Sequence, residues 1–274
     1  MFTTFRITAS AFYSALFLSL LIACQPAGPG AKQPQDNEPP ARLASALPAD
    51  TQAFDTDYLM GRFDPASHPD FTLVENRYAS RAGLYLRKDT YDAFLKMYEA
   101  AKKDGITLTI LSATRNFDYQ KGIWEAKWTG ATAIENGKNA SEAYPNPTQR
   151  ALKILEYSSM PGSSRHHWGT DMDLNALNNE HFETGQGLKT YQWLVANAPG
   201  FGFCQPYSPK GEARPYGYNE EKWHWSYLPI ALPLTQLARE KLKDEMIQGF
   251  KGAETAREVG VVEKYVLGIN AICL

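Results

Sequence analysis

The spacing of apolar positions divides the chain into short segments of differing period. From Lys88 to Lys103, the residues Tyr91, Phe94, Leu95, Tyr98 and Ala101 recur three and four apart, which is the repeat of an amphipathic helix. Asp89 stands near its start, and Asp104-Gly105 supplies a stop. Ile106 to Leu111 (ITLTIL) is rich in isoleucine and threonine between Gly105 and Ser112 and predicts a strand. Further helices are predicted from Asn116 to about Trp128, from Thr148 to Tyr157, from Gly187 to Ala198, and from Pro233 to Gln248 with Gly249 as the stop. Phe201-Gly202-Phe203 and Glu221 to Tyr227 predict short strands. Tyr58 to Pro65 mixes aromatics with turn formers and predicts an ordered N-terminal wrap. Gly130 to Pro147 is polar, and a loop of that length is either a lid or a plain surface insertion. Helices and strands are interspersed without regular βαβ alternation. The expected fold class is therefore α+β, a single domain with a small antiparallel sheet flanked by helices.

The N-terminus has another character. Arg6 precedes a mostly apolar run from Ile7 to Leu21, too short to span a membrane comfortably, which ends in Leu21-Ile22-Ala23-Cys24. This ending resembles the lipobox of bacterial lipoproteins, where the cysteine is lipidated and becomes the new N-terminus; an ordinary cleaved signal peptide or an uncleaved anchor is the alternative. The expected division is a signal peptide over 1–23, a Pro/Gly-rich flexible tether over 24–50 and the folded domain over 51–274. Several acyl chains on Cys24 would hold the chain to a membrane. Gln25 resembles the sorting signal for the outer membrane, so the expected location is the bacterial cell envelope, lipid-anchored at the periplasmic face of that membrane. An exported chain meets oxidising conditions, under which Cys204 and Cys273 are expected to pair and pin the C-terminus; two unrelated buried cysteines are the alternative.

Of the 274 residues 43% are hydrophobic, enough for a buried core, and the formal net charge of -2 is spread through the sequence. A nucleic-acid partner would need a concentrated basic surface, and none is visible. Nothing in the sequence fixes an oligomeric state.

The chemistry concentrates in Ser163 to Asp173 (SSRHHWGTDMD) and in Glu221-Lys222-Trp223-His224. Together they offer two imidazoles, a carboxylate ligand and a further glutamate. That is the donor set of a catalytic zinc, which takes three nitrogen and oxygen ligands and works beside a carboxylate able to handle a proton. Asp171 and Asp173 are two apart, so on a strand they share a face. His224 would come from a second strand, with Trp223 and Trp225 walling the pocket against water. Glu221 and His224 are three apart, which requires a bulge or turn between them. His167 points elsewhere in an extended chain, although Gly169 leaves open an exchange of roles between His166 and His167. His68 and His181 sit in no motif.

SRHHWGTDMD resembles the S-x-H-x-x-G-x-A-x-D motif, and EKWH the E-x-W-H motif, of the VanY-type D-alanyl-D-alanine carboxypeptidases, zinc enzymes related to the D-Ala-D-Ala dipeptidases. The two motifs stand in the family's order. The resemblance implies one zinc ion held by His166, Asp173 and His224, with Glu221 as general base. It also implies that Arg115, in Ser112-Ala113-Thr114-Arg115, steadies the substrate carbonyl or its oxyanion. Ser164 would help hold the substrate's terminal carboxylate. Asp171 departs from the alanine of the pattern; such a carboxylate would bond a ligand histidine from behind or attract a substrate amine. The implied activity is removal of the terminal D-alanine from peptidoglycan stem peptides. A D,D-dipeptidase, an L,D-carboxypeptidase or a cross-link endopeptidase would use the same centre, and a non-catalytic wall-binding lipoprotein would have no need of Glu221.

Overall fold

The computed structural model describes residues 54–274. The expected signal peptide (1–23) and tether (24–50), with Cys24, lie outside the described residues. In chain order the elements are helix α1 (Thr56–Leu59), strands β1 (Phe71–Leu73) and β2 (Tyr85–Arg87), helix α2 (Lys88–Lys103), strand β3 (Ile110–Ser112), and helices α3 (Phe117–Trp128), α4 (Ala140–Ala143) and α5 (Pro147–Ile154). Strand β4 (Asp171–Leu174), helix α6 (Gly185–Asn197), strands β5 (Phe203–Cys204) and β6 (His224–Tyr227), and helices α7 (Leu228–Lys241) and α8 (Ala256–Val259) complete the chain. The fold is α+β. The central sheet is antiparallel in the order β3-β4-β6-β5, and β1 pairs with β2 separately.

Local chemistry accounts for the helix starts. Asn116 accepts from the Tyr119 amide and Asn146 from the Gln149 amide, so α3 and α5 each begin on an asparagine cap, the latter followed by Pro147. Helix α2 has the bounds its periodicity predicts, and Gly105 follows it with φ 75°.

Alternation of side chains then divides the central sheet into two unlike faces. Met172, Leu174 and Trp225 join Phe203, Phe94, Met97, Trp193 and Leu194 in one buried cluster. A second, larger cluster gathers Trp124, Trp128, Ile154, Trp168, Ile230 and Leu234. Asp171 and Asp173 of β4 and His224 and Ser226 of β6 alternate with the apolar positions, so a polar row lies within the protein.

Several expectations change. Only Ile110–Ser112 forms the strand predicted from Ile106. Before it, the side chain of Asn175, itself at φ 65°, accepts from the Thr109 amide and donates to the Thr107 carbonyl, so a side-chain amide replaces the strand pairing there. Helix α7 starts five residues before Pro233 and ends at Lys241. Burial of Ile230, Ala231 and Leu234 carries it through the proline that the sequence suggested as its start. The 130–147 stretch is not bare loop: it holds α4, and Ile134 and Ala140 are buried in the larger cluster. No helix among the described residues is long and apolar enough to cross a membrane.

Cys204 and Cys273 form a disulfide, with Cα atoms 6.0 Å apart. It ties the C-terminus to β5 across a sequence separation of 69 residues. Closing a loop of that length should stabilise the fold by roughly 4 kcal/mol. The expected outcome is that Cys273→Ser lowers the urea-unfolding free energy by about this amount, and that neither thiol of the parent is alkylated without reductant.

Candidate active site

The register of β4 against β6 sets Asp173 directly opposite His224 and Asp171 opposite Ser226. On the other side, Ser112 of β3 pairs with Asp173. His166 comes from a 3-10 turn, Arg165–Trp168, that ends on Gly169 at φ 73° and delivers the chain into β4. The N-terminal wrap clamps this turn: the Trp168 indole donates to the Leu59 carbonyl at 3.1 Å, and the Tyr58 hydroxyl donates to the Trp168 carbonyl at 2.8 Å. Gly61 packs so closely that a Cβ there would meet the His167 ring at 2.5 Å.

These elements bring His166, Asp173 and His224 together, with one ligand atom of each within 4.8 Å of the others. All three are buried. His166 Nε2 faces Asp173 Oδ2 at 3.4 Å, and His224 Nδ1 faces Asp173 Oδ1 at 3.2 Å. Two ligands of one tetrahedral ion, each bonded at ~2.0–2.1 Å, stand about 3.3 Å apart. The spacing therefore fits a single metal ion. His166 Nε2 and Asp173 Oδ1 are buried with no hydrogen-bond partner among the described residues, an arrangement that is costly unless something else completes it.

The tautomers follow from the opposite edges of the rings. His166 Nδ1 lies 2.8 Å from the Ala113 carbonyl, which only accepts, so the proton sits on Nδ1 and the lone pair on Nε2. His224 Nε2 lies 2.9 Å from Asp171 Oδ1, so its proton sits on Nε2 and Nδ1 faces Asp173. Burial pushes the His166 pKa down, helped by Arg115. Burial also opposes charge on His224, but Asp171, Asp173 and Glu221 outweigh it and hold that ring well above its ordinary value. Burial alone would raise Asp173; the two histidines outweigh it and hold the carboxyl well below the usual range. The centre therefore favours a positive charge among its carboxylates.

Glu221 begins the turn into β6: the His224 amide donates to the Glu221 carbonyl, and Glu221 Oε2 stands 3.3 Å from His224 Nδ1. Its backbone is held by the Tyr207 carbonyl and the Gln205 side chain, and burial pushes its carboxyl pKa up. Arg115 is bonded through its backbone to both histidines, its amide donating to the His166 carbonyl and its carbonyl accepting from His167 Nδ1. His167 is fully buried, receives the Gly162 amide on Nε2, and is pushed by burial down to about 3. It supports the turn and stands outside the His166, Asp173 and His224 group.

His166, Asp173, Glu221 and Arg115 line a cleft of about 740 Å³ together with Lys127, Ser158, Tyr157 and Trp223. Three expectations are corrected here. Trp225 alternates to the far face of the sheet and packs in its core, so only Trp223 walls the cleft, stacked on Tyr157 with ring centroids 6.3 Å apart. Ser164 is buried and is not among the lining residues. Asp171 is also buried away from the cleft, with both oxygens already taken by donors of the protein, which leaves nothing for a substrate amine. Sequence reasoning missed Lys127, whose ammonium donates to Ser158 Oγ at 2.7 Å and stands 3.9 Å from Glu135. No motif marked it, since α3 and the segment after α5 meet only in the fold.

A buried His, Asp and His group thus stands beside a glutamate at the wall of a cleft, carried on a small antiparallel sheet, with the donor atoms and spacing that suit one metal ion. The chain belongs to the VanY D-alanyl-D-alanine carboxypeptidase family, whose model matches residues 83–230. It is 30% identical over 147 residues to YodJ of Bacillus subtilis (strain 168), provisionally named a carboxypeptidase; the match covers 53% of this chain and 46% of YodJ, so the chain spans about half of that relative's length. Among solved structures it is similar to the LdcB LD-carboxypeptidase (24% identity, TM-score 0.46, covering 75% of this chain and 81% of that one). It is also similar to a VanY D,D-pentapeptidase in complex with Zn(II) (22% identity, TM-score 0.45, covering 68% and 88%).

Gly169 fixes how His166 reaches β4. An alanine there would adopt a left-handed φ and set its Cβ 2.4 Å from Phe71 and 2.9 Å from Arg87. Gly169→Ala is expected to cost about 2–4 kcal/mol in chemical denaturation, from the φ strain and the overpacking together.

Proposed function

We propose that this protein is a zinc-dependent carboxypeptidase that removes the terminal D-alanine from peptidoglycan stem peptides. The observation that carries the proposal is the convergence of His166 Nε2, Asp173 and His224 Nδ1, with two buried atoms that have no partner among the described residues, beside Glu221 in a cleft. Membership of the family supports the substrate class.

His166, Asp173 and His224 would hold one zinc ion, since two imidazoles and a carboxylate are the donors such an ion takes. Bound there, zinc would supply Lewis acidity, which makes water nucleophilic near neutral pH and polarises a carbonyl. Glu221 takes the proton of the attacking water and delivers it to the departing amine. Arg115 offers its guanidinium, whose buried Nε has no partner among the described residues, to the substrate carbonyl oxygen as negative charge develops. Lys127, rather than Ser164, offers a cation to the carboxylate of the departing residue. Its side chain is only 17% exposed, and Glu135 at 3.9 Å is a distant partner for a charge held that deep. A cation placed for a free carboxylate favours trimming of chain ends over cutting of cross-links. The proposal includes export and anchoring through a lipid on Cys24, with residues 24–50 as the tether. The Cys204–Cys273 disulfide supports residence in an oxidising compartment.

Mass spectrometry of muropeptides digested by the metal-loaded protein tests the reaction. Loss of one terminal alanine is expected, whereas loss of a dipeptide, cleavage of dimers or no change would each overturn it in a different direction. Glu221→Gln should lower kcat by roughly 10²–10⁴-fold with metal still bound. Lys127→Met should raise KM by roughly tenfold or more, as for loss of a charged hydrogen bond, and largely spare kcat.

A further inference from the structure

We infer that Asp171 is a positioning residue that fixes the tautomer and ring orientation of His224, and so sets how tightly the site holds its metal. The inference rests on reading His166, Asp173 and His224 as metal ligands. Asp171 stands where the family's motif has alanine, so the motif does not ask for it, yet this chain builds a complete network around it. Oδ1 accepts from His224 Nε2 at 2.9 Å and from Arg165 Nε at 3.2 Å. Oδ2 accepts from Thr170 Oγ1 at 2.5 Å and from Ser226 Oγ at 3.0 Å. Arg165, equally buried, donates onward to Ser226 Oγ at 2.9 Å and to Thr235 Oγ1 at 2.8 Å, and its guanidinium lies over the Trp168 ring.

The direction of these bonds matters more than their number. An imidazole binds metal through one nitrogen only if the other holds the proton, and a carboxylate behind the ring imposes that choice. His166 obtains the same effect from the neutral Ala113 carbonyl; His224 obtains it from a charge. The charge is itself anchored from three elements: β4 carries Asp171, β6 carries Ser226, and α7 carries Thr235, which lies beyond the matched residues 83–230. Burying two charges is costly, and apolar residues of similar volume often serve stability as well or better. A network whose one edge is the outer nitrogen of a ligand histidine has a use that packing alone lacks.

A purely structural role is the competing account, and metal binding separates the two. Zinc affinity by chelator competition, and the visible spectrum after Co(II) substitution, are measured on the full chain and its variants at a temperature where each is folded. Asp171→Asn keeps the shape and removes the charge; it should weaken zinc binding by roughly tenfold to hundredfold and alter the Co(II) spectrum. Thr235→Val, which cuts the far end of the network and leaves the Asp171–His224 bond, should lower the Tm and leave affinity and spectrum unchanged. The double variant Asp171→Asn/Arg165→Met, which removes the unpaired cation as well, should show the same loss of zinc if the single variant fails to fold. Zinc binding within twofold of the parent in the Asp171 variants would overturn the inference. So would an equal loss in Thr235→Val, which would mark general loosening. A parent chain that takes up no zinc would instead overturn the metal-site reading itself.

Discussion

The cross-strand pairing of β4 with β6 is the constraint on which the site depends. With Asp173 opposite His224, two donors that are distant in sequence stand 3.2 Å apart. The same register sets Met172 opposite Trp225 on the other face, inside the core. A slip of one residue would bury Asp171 and Asp173 among apolar side chains and turn Met172 into the polar row. The hydrophobic packing of one face therefore enforces the chemistry of the other, and neither can shift alone.

Around that pair, each donor is aimed by the group behind it. The Ala113 carbonyl directs His166 and Asp171 directs His224, while the backbone of Arg115 ties both histidines of the turn to β3's exit. The N-terminal wrap clamps Trp168. The segment after β6 contributes Thr235 and is closed by the disulfide. Parts of the chain on either side of the matched region are thus joined to the site by hydrogen bonds, although they carry no motif.

Charge organises the cleft as well as the centre. Carboxylates converge on one point where a cation is favoured, and the cleft wall carries the cations Arg115 and Lys127. The Lys127 contact with Glu135, at 3.9 Å, is a loose one.

Sequence alone determined the helix α2 to the residue, the α+β class and the turn between Glu221 and His224, and it singled out the three residues, His166, Asp173 and His224, that the fold brings together. Each of those is set by neighbours in the chain: a 3.6-residue repeat with its Asp-Gly stop, and a spacing of three that a strand cannot carry on one face. It misjudged the strand from Ile106, the start of α7, the side of the sheet taken by Trp225 and the position of Ser164; of its two readings of Asp171, a bond to a histidine from behind is the one the fold makes, to His224. It did not find Lys127. In these the outcome depends on packing against parts of the chain far away in sequence: Asn175 standing in for a strand, a buried face outweighing a proline, and the alternation of β6 turning Trp225 into the core. A short motif names the atoms that can bind, because donor chemistry is local. Which way each atom faces is decided only when strands from different parts of the chain come into register.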